Sequence, residues 1–431
     1  MSCCHHYFAP GQGGDDAFTI DASTMTFGAG CLSEAGDHAL AAGVKRVALF
    51  TDRHVRTLPP VATVLASLKA AGVGVEIYNE CAVEPTDASF KAAARFAGDG
   101  NFDGYISVGG GSVIDTCKAA QLLATYPAPL RTYLNAPVGE ARPVPGRLPP
   151  HLACPTTSGT GSEVTGFAIC TWSPLHAKTA IASPTLRPTE ALVDPRVALT
   201  QPAEVVAASG MDVLCHAVES YTARRYHQRP STGIARPLSQ GANPWSDVGC
   251  REALRLLDAH LVHAVQGDPY AREQMMWAAT LAGIAFGNAG VHAPHAMAYA
   301  IGGGVKSFAP TGYPTSPLVP HGMAVALAAP AVFRFTGDTA PERHLEAAAL
   351  LGADVDGTIA RDGGELLGNR VVALMKAIGM PNGTAGVGYA AADIPALVER
   401  VLPQQRLLTN APCAITPAIL TELFSNAERY W

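Results

Sequence analysis

The sequence predicts an α/β N-terminal domain with a doubly wound parallel sheet, followed by an all-helical C-terminal domain. Three observations support this fold class. Short apolar strands alternate with helical segments up to about residue 200, one of these strands runs into a glycine-rich turn and then a helix, and the later segments all have helical periodicity. We expect a disordered tail over residues 1–20, an α/β domain over 21–200 and a helical domain over 201–431.

Composition and charge exclude several classes of protein. The 431 residues carry a net charge of −6 without a basic run, so no surface for nucleic acid is expected. No uninterrupted apolar segment has the length of about 18 residues that a membrane span needs, and no signal peptide is recognisable. The ten cysteines are scattered rather than clustered as in a disulfide scaffold. We therefore expect a cytoplasmic protein with free thiols.

The first domain begins with alternating strands and helices. Compact apolar runs predict strands at 25–28, 46–51, 73–78 and 104–108, and helices at 31–42, 60–71 and 87–97 lie between them. After a proline-rich excursion over 127–150, further strands are predicted at 152–155, 167–171 and 191–194. This alternation is typical of a parallel sheet, whose ligands bind at the carboxyl ends of the strands.

The turn Gly109-Gly-Gly-Ser112 connects a predicted strand to the helix 113–124. Glycines let backbone N–H groups approach a pyrophosphate, and the start of the helix adds partial positive charge. Ile114 stands where the usual dinucleotide fingerprint has its third glycine, so the turn is either a phosphate cradle or a tight connection. Asp52, just after the second strand, could accept hydrogen bonds from a ribose diol or cap a helix. The polar run 156–163 is either a loop or a second ligand-binding loop.

The second domain contains candidate metal ligands. Predicted helices span about 203–222, 246–265, 270–288, 321–335, 342–351, 364–378 and 391–401. Asp212 and His216 are four residues apart and share one helix face. His295 follows Pro294, which can open a helix, and His321 precedes an apolar run. One carboxylate and three imidazoles suit Fe²⁺ or Zn²⁺. Taken singly, each of these residues could instead be a surface pair or a core histidine.

Several motifs resemble those of the iron-containing (group III) alcohol dehydrogenase family across nearly the whole chain. They are Gly109-Gly-Gly-Ser-Val-Ile-Asp115, Pro155-Thr-Thr-Ser-Gly-Thr-Gly-Ser-Glu163, Asp212-x-x-x-His216, His295 and Pro320-His-Gly322. The resemblance implies a dinucleotide-binding N-terminal domain, a metal-binding helical domain, NAD and a divalent metal, foremost Fe²⁺ with Zn²⁺ as the alternative. It implies these nucleotide-binding residues: Asp52, Gly110, Gly111, Ser112, Asp115, Thr156, Thr157, Ser162 and Lys178.

The resemblance also bears on proton transfer. Many family members have a histidine four residues after the third ligand, where this chain has Tyr299. Tyr299 is therefore one candidate for a catalytic proton relay. His292 is the other, and it could equally be a core histidine or one that supports a ligand.

Within the family, further segments such as Tyr226-His-Gln-Arg229 and Val83-Glu-Pro-Thr-Asp87 are most similar to members that pass hydride between two acids. This likeness implies hydride transfer from a hydroxy acid such as 4-hydroxybutyrate to an oxo acid such as 2-oxoglutarate through bound NAD. The alternative is an NAD-dependent dehydrogenase of small alcohols or ω-hydroxy acids. Arg225, Arg229 and Lys306 are candidates for binding a substrate carboxylate. A homodimer or larger homo-oligomer is expected.

Overall fold

The computed structural model describes residues 14–175, 177–313 and 317–431. The chain divides into two compact units. One unit consists of Ala22–Gln201, and the other combines Pro202–Trp431 with the N-terminal segment that ends at Asp21.

The unit Ala22–Gln201 is built on a parallel six-stranded sheet, as the sequence predicted. The sheet contains β1 (Thr24–Phe27), β2 (Arg46–Phe50), β3 (Gly74–Tyr78), β4 (Gly104–Gly109), β5 (His151–Pro155) and β8 (Glu190–Val193). The order of these strands across the sheet is β1-β8-β5-β4-β2-β3. Strands β4 and β5 are in the middle of the sheet and are buried along their whole length, as expected for a parallel sheet covered on both faces.

Helices connect these strands. They are α1 (Ala35–Ala41), α2 (Pro59–Ala70), α3 (Asp87–Asp99), α4 (Gly111–Thr125) and the short α5 (Leu130–Tyr133). Thr86 caps α3, because its hydroxyl accepts from the backbone N–H of Ser89 while the Ser89 hydroxyl accepts from that of Thr86. Helix α4 begins directly after β4, so the glycine turn lies at the carboxyl end of a central strand.

One predicted strand belongs elsewhere. Strand β6 (Phe167–Trp172) pairs antiparallel with β7 (Ala177–Ala182) in a separate two-stranded sheet. The sequence analysis placed 167–171 among the strands of the main sheet and missed β7. The physical reason is that β6 and β7 are joined by a short connection, which allows antiparallel pairing, whereas a parallel neighbour requires a long crossover.

The second unit is helical, as predicted. Its helices are α6 (Ala203–Thr222), α7 (Pro244–Val265), α8 (Pro269–Ala289), α9 (Ala293–Gly303), α10 (His321–Thr336), α11 (Pro341–Leu350), α12 (Gly363–Ala377), α13 (Ile394–Val401), α14 (Gln405–Leu408) and α15 (Pro417–Asn426). Helix α6 is the core element, since nearly all residues from Val206 to Thr222 are buried. It packs against α7, α8 and α10.

The predicted disordered tail requires correction over residues 14–20, while residues 1–13 lie outside the described residues. The carboxylate of Asp15 is buried and binds Arg229 at 2.7 Å and Arg236 at 3.1 Å. The Gln240 side-chain amide also exchanges two hydrogen bonds with the backbone of Thr19. The sequence analysis missed this attachment because its partners lie more than 200 residues away along the chain.

Among the residues that the structure describes, no helix combines the length and apolar character needed to cross a membrane. The eight cysteines in the described part of the chain are all free thiols, and seven of them are buried. The prediction of free thiols therefore holds for these eight residues.

Candidate metal centre and nucleotide loops

Helices α6, α9 and α10 bring the four predicted metal ligands together. The Oδ1 atom of Asp212 lies 3.8 Å from Nε2 of His216, 3.6 Å from Nε2 of His295 and 3.8 Å from Nε2 of His321. The ligand atoms of Asp212, His295 and His321 all lie within 4.8 Å of one another. We call these four side chains the metal group.

His216 occupies one flank of the metal group. Its ring stacks on Phe286 with the centroids 4.1 Å apart and lies 4.8 Å from the ring of His295. The spacing from Asp212 to His216 is one helical turn of α6, which is why the two side chains point the same way. His216 therefore lies on the same face of α6 as Asp212, and its ring is next to that of His295.

Gly322 explains how α10 comes close enough to contribute His321. A Cβ atom at position 322 would lie 2.1 Å from the carbonyl oxygen of Ala208 and 2.7 Å from the Cβ of Asp212. No side chain fits at such distances, so glycine permits the first turn of α10 to touch the backbone of α6. The Pro320-His-Gly322 motif thus places an imidazole and removes a steric barrier at adjacent positions.

Glu219 is a functional candidate that the sequence analysis missed. Its side chain is fully buried, and Oε1 lies 2.6 Å from Nδ1 of His295. Its Oε2 atom accepts hydrogen bonds from the backbone N–H groups of His292 and His295. A carboxylate behind a metal-binding imidazole fixes the ring orientation and leaves Nε2 for the metal. The signal was in the sequence, because Glu219 is seven residues after Asp212 on the same face of α6.

The carboxylates of Asp212 and Glu219 favour positive charge in the metal group. Burial opposes ionisation of Asp212, but the imidazoles of His216, His321 and His295 hold its pKa well below the ordinary value. Burial alone would lower the pKa of His295, whereas the carboxylates of Glu219 and Asp212 raise it to about 9. Burial lowers the pKa of His216 to about 4, so this imidazole is a neutral ligand at pH 7.

The donor set fits a divalent transition metal. Oδ1 of Asp212 and Nε2 of His295 are buried and have no hydrogen-bond partner within the described part of the chain. Buried polar atoms are costly unless they are paired, and a cation among them would satisfy both. Three nitrogen donors and one carboxylate suit Fe²⁺ or Zn²⁺ better than Ca²⁺ or Mg²⁺.

The two predicted proton-relay residues lie in different surroundings. Tyr299 is on α9, one turn after His295, and its ring centroid lies 5.9 Å from that of His321. His292 is buried at the start of α9, where Nε2 lies 3.2 Å from the Thr222 hydroxyl. Burial lowers its pKa to about 4. This hydrogen bond favours the structural interpretation of His292.

The glycine turn and the polar loop are neighbours at the carboxyl edge of the sheet. Gly109, at the end of β4, pairs with Pro155 of β5, and the backbone N–H of Thr156 donates to the carbonyl of Gly109 at 3.0 Å. A Cβ at Gly110 would lie 3.3 Å from the side chain of Thr157, and one at Gly111 only 2.6 Å from that of Thr160. The glycine turn can approach the polar loop this closely because Gly110 and Gly111 have no side chains.

Asp115 and Ser162, both predicted to bind nucleotide, are hydrogen-bonded to each other. The Ser162 hydroxyl donates to Oδ1 of Asp115 at 2.5 Å, and the backbone N–H of Ile169 donates to Oδ2. The fully buried ammonium group of Lys118 donates to the carbonyl and hydroxyl of Ser162. These hydrogen bonds connect α4 to the polar loop and hold the loop in position.

Asp52 and Lys178 also have protein partners. Oδ1 of Asp52 accepts from the backbone N–H groups of His54 and Val55, both at 2.8 Å. These hydrogen bonds correspond to the capping role, the second of the two roles that the sequence allowed for Asp52. Lys178 pairs with Glu84. The backbone N–H of Glu84 in turn donates to the hydroxyl of Ser112 at 3.3 Å, so Glu84 connects the glycine turn to the β6–β7 sheet.

Comparison with known proteins decides the family. Residues 22–195 match the family model described as iron-containing alcohol dehydrogenase, and residues 237–428 match the C-terminal model of that family. The chain belongs to the iron-containing alcohol dehydrogenase family. Among solved structures, this family member is similar to a 1,3-propanediol oxidoreductase, with 29% identity, a TM-score of 0.84 and coverage of 95% of this chain and 100% of the other. An alcohol dehydrogenase from Oenococcus oeni gives 29% identity, a TM-score of 0.83 and the same coverage.

Among curated relatives, the mitochondrial hydroxyacid-oxoacid transhydrogenase of Bos taurus is 46% identical to this chain. The match covers 98% of this chain and 92% of the relative. The names of this and the other relatives place those proteins in mitochondria. The prediction of a cytoplasmic location is therefore wrong. It was drawn from the lack of a recognisable signal peptide, which does not bear on mitochondrial location.

Proposed function

We propose that this oxidoreductase passes hydride from a hydroxy acid, such as 4-hydroxybutyrate, to an oxo acid, such as 2-oxoglutarate, through a bound NAD. The products would be succinate semialdehyde and 2-hydroxyglutarate. The observation that carries this proposal is the 46% identity to a hydroxyacid-oxoacid transhydrogenase over nearly the whole length of both proteins.

Asp212, His216, His295 and His321 would hold one divalent metal, and Fe²⁺ is our choice because of the family and the three nitrogen donors. Such a cation supplies Lewis acidity that stabilises negative charge on the reacting substrate oxygen. The negative charge of Asp212 would offset part of the positive charge of the cation. Glu219 would hold the His295 imidazole through Nδ1 and so leave Nε2 for the cation.

NAD would bind at the carboxyl edge of the parallel sheet. The turn between β4 and α4 offers backbone N–H groups at the N-terminus of a fifteen-residue helix, an arrangement suited to a pyrophosphate. Gly110, Gly111, Ser112, Thr156 and Thr157 would line the phosphates. Asp52 would accept from the ribose with Oδ2, since Oδ1 is occupied by its capping hydrogen bonds.

Transhydrogenation differs from ordinary alcohol oxidation in that the reduced cofactor stays on the protein until the oxo acid arrives. In the test, purified protein is incubated with 2-oxoglutarate and with 4-hydroxybutyrate that is deuterated at C4. No NAD is added. We expect deuterium at C2 of 2-hydroxyglutarate, even when a large excess of unlabelled NADH is present. Dilution of the label by this pool would replace the proposal with an NAD-dependent dehydrogenase that exchanges its cofactor in each cycle.

We also propose that the protein is a homodimer or a larger homo-oligomer. Trp245 and Val248 support this, because they are three residues apart on one face of α7 and are 44% and 66% exposed. Light scattering with size-exclusion chromatography tests the assembly. A monomer at micromolar concentration would contradict it.

A further inference from the structure

Two histidines of the metal group differ in what lies behind their rings. Nδ1 of His295 lies 2.6 Å from Oε1 of Glu219, and such a hydrogen bond sets the orientation of the imidazole. Nδ1 of His216 is also buried, but it has no hydrogen-bond partner within the described part of the chain. The carboxylate of Asp212 lies 3.8 Å from Nε2 of His216, which is beyond hydrogen-bond distance. No hydrogen bond to a described residue therefore orients the His216 ring.

The ring of Phe286 lies against the His216 ring. The two ring centroids are 4.1 Å apart and the ring planes differ by only 10°, so the rings are stacked and nearly parallel. The His295 ring is farther from His216, at 4.8 Å, and is inclined by 23°. The last torsion angle of a histidine side chain has only a broad intrinsic preference. Rotation about it would drive an edge of the His216 ring into the face of Phe286, so the stacked ring restricts this rotation.

Backbone hydrogen bonds hold Phe286 in this position. Phe286 is in the last turn of α8 and is 7% exposed. Its carbonyl accepts from the backbone N–H of Gly290 at 2.7 Å, and the carbonyl of Gly290 accepts from the buried hydroxyl of Ser220 at 3.0 Å. Ser220 is one turn after His216 on α6. The end of α8 is therefore connected to the His216 segment of α6 by a buried hydrogen bond as well as by the stacked rings.

An ordinary role in the core is the alternative for Phe286. A core phenylalanine contributes apolar area and volume, which a leucine largely retains. A stacking role depends instead on a flat aromatic ring, and aromatic pairs gain free energy beyond that of the area that they bury. The two roles therefore predict different results for a substitution that keeps the apolar character of Phe286 but removes its ring.

We propose that Phe286 is a positioning residue, which orients the His216 imidazole for metal binding through ring stacking where a hydrogen bond is missing. This inference rests on the metal site of the proposed function and deepens it. A metal ligand must present its donor atom in one direction, and a ring that rotates freely loses conformational entropy when the cation binds. Stacking on Phe286 lowers that cost, because the His216 ring is confined before the cation arrives. His295 gains the same advantage from its hydrogen bond to Glu219.

The test measures metal binding in the absence of substrate and NAD. Co²⁺ is titrated into the metal-free protein in competition with a chromophoric chelator. In Phe286→Leu we expect the Kd for Co²⁺ to rise about 3- to 10-fold, which corresponds to the loss of one aromatic pair. The d–d absorption bands of bound Co²⁺ should also shift, because these bands depend on the geometry of the ligands. Phe286→Tyr keeps the stacked ring, and its Kd should stay within about twofold of the wild-type value.

Phe424→Leu is the matched control, because Phe424 is a buried phenylalanine of α15 in the same unit. Urea unfolding should show similar losses of stability in the two leucine variants, whereas only Phe286→Leu should bind Co²⁺ more weakly.

Three results would overturn the inference. They are an unchanged Kd in Phe286→Leu, an equal rise in Phe424→Leu, and a rise in Phe286→Tyr as large as that in Phe286→Leu. Failure of the proposed function is distinguishable, because Co²⁺ binding does not depend on hydride transfer and still tests Phe286 if the deuterium experiment fails. A wild-type protein that binds no Co²⁺ would overturn the inference together with the metal site.

Discussion

Oε1 of Glu219 lies 2.6 Å from Nδ1 of His295, and both side chains are buried between α6 and α9. The same carboxylate accepts from the backbone N–H of His295 and of His292, so it fixes the first turn of α9 together with the imidazole. Glu219 thereby connects the helix that carries Asp212 and His216 to the helix that supplies the third ligand.

Replacing this carboxylate should weaken metal binding. In Glu219→Gln the amide keeps the size of the side chain but removes the charge that orients His295, and we expect the metal Kd to rise about 10- to 100-fold. Competition with a chromophoric chelator measures this change. Glu204→Gln, an exposed glutamate at the start of the same helix, is the control. Equal metal affinity in the two variants would contradict a role for Glu219.

A methyl group at Gly322 should push α10 away from α6. Because the added Cβ would lie 2.1 Å from the Ala208 carbonyl, Gly322→Ala should lower the free energy of unfolding by about 1–3 kcal/mol. It should also reduce metal occupancy, since His321 moves with α10. Metal analysis and urea unfolding measure the two effects. Gly98→Ala is the control, because a Cβ there meets no atom within 4 Å, and normal occupancy in Gly322→Ala would refute the argument.

Asp52 should set the preference for NAD over NADP, because its charge repels a 2′-phosphate. Asp52→Asn keeps an oxygen for the N–H groups of His54 and Val55 but removes the charge. We expect the ratio of kcat/KM for NAD to that for NADP to fall about tenfold or more, with little change in stability. Asp52→Ala should also lose about 1 kcal/mol of stability with the cap. Equal use of both cofactors by the wild type would disprove this role.

His151 should make the protein acid-sensitive. Burial lowers its pKa to about 3, below the ordinary value of 6.5, and Nε2 lies 2.8 Å from the Ser107 hydroxyl. Because the folded state binds the proton more weakly than the unfolded state, the contribution to stability is complete above pH 6.5 and is lost as the pH falls towards 3. The loss approaches about 1.4 kcal/mol per pH unit.

Urea unfolding at several pH values between 7 and 4 tests this sensitivity. His151→Asn should show a shallower decline of the unfolding free energy than the wild type, although it starts from a lower value. His54→Asn, at an exposed position in the same unit, should follow the wild-type slope. Parallel pH dependence in all three proteins would show that His151 does not contribute.

Features that depend on neighbours along the chain could be predicted from the sequence. Apolar runs of strand length alternating with helical periods gave the six parallel strands and the helical second unit. The spacing of Asp212 and His216 gave two side chains on one face of α6. These features are local, because a strand or a helix turn is defined within a few residues. His295 and His321 were recognised through the family motifs and through their joint placement with Asp212 and His216.

Contacts between side chains that are distant in sequence could not be predicted in this way. Asp115 and Ser162 are 47 residues apart and bind each other, while Glu219 and His295 are 76 residues apart. No periodicity encodes such pairs, because the packing of whole helices and strands brings them together.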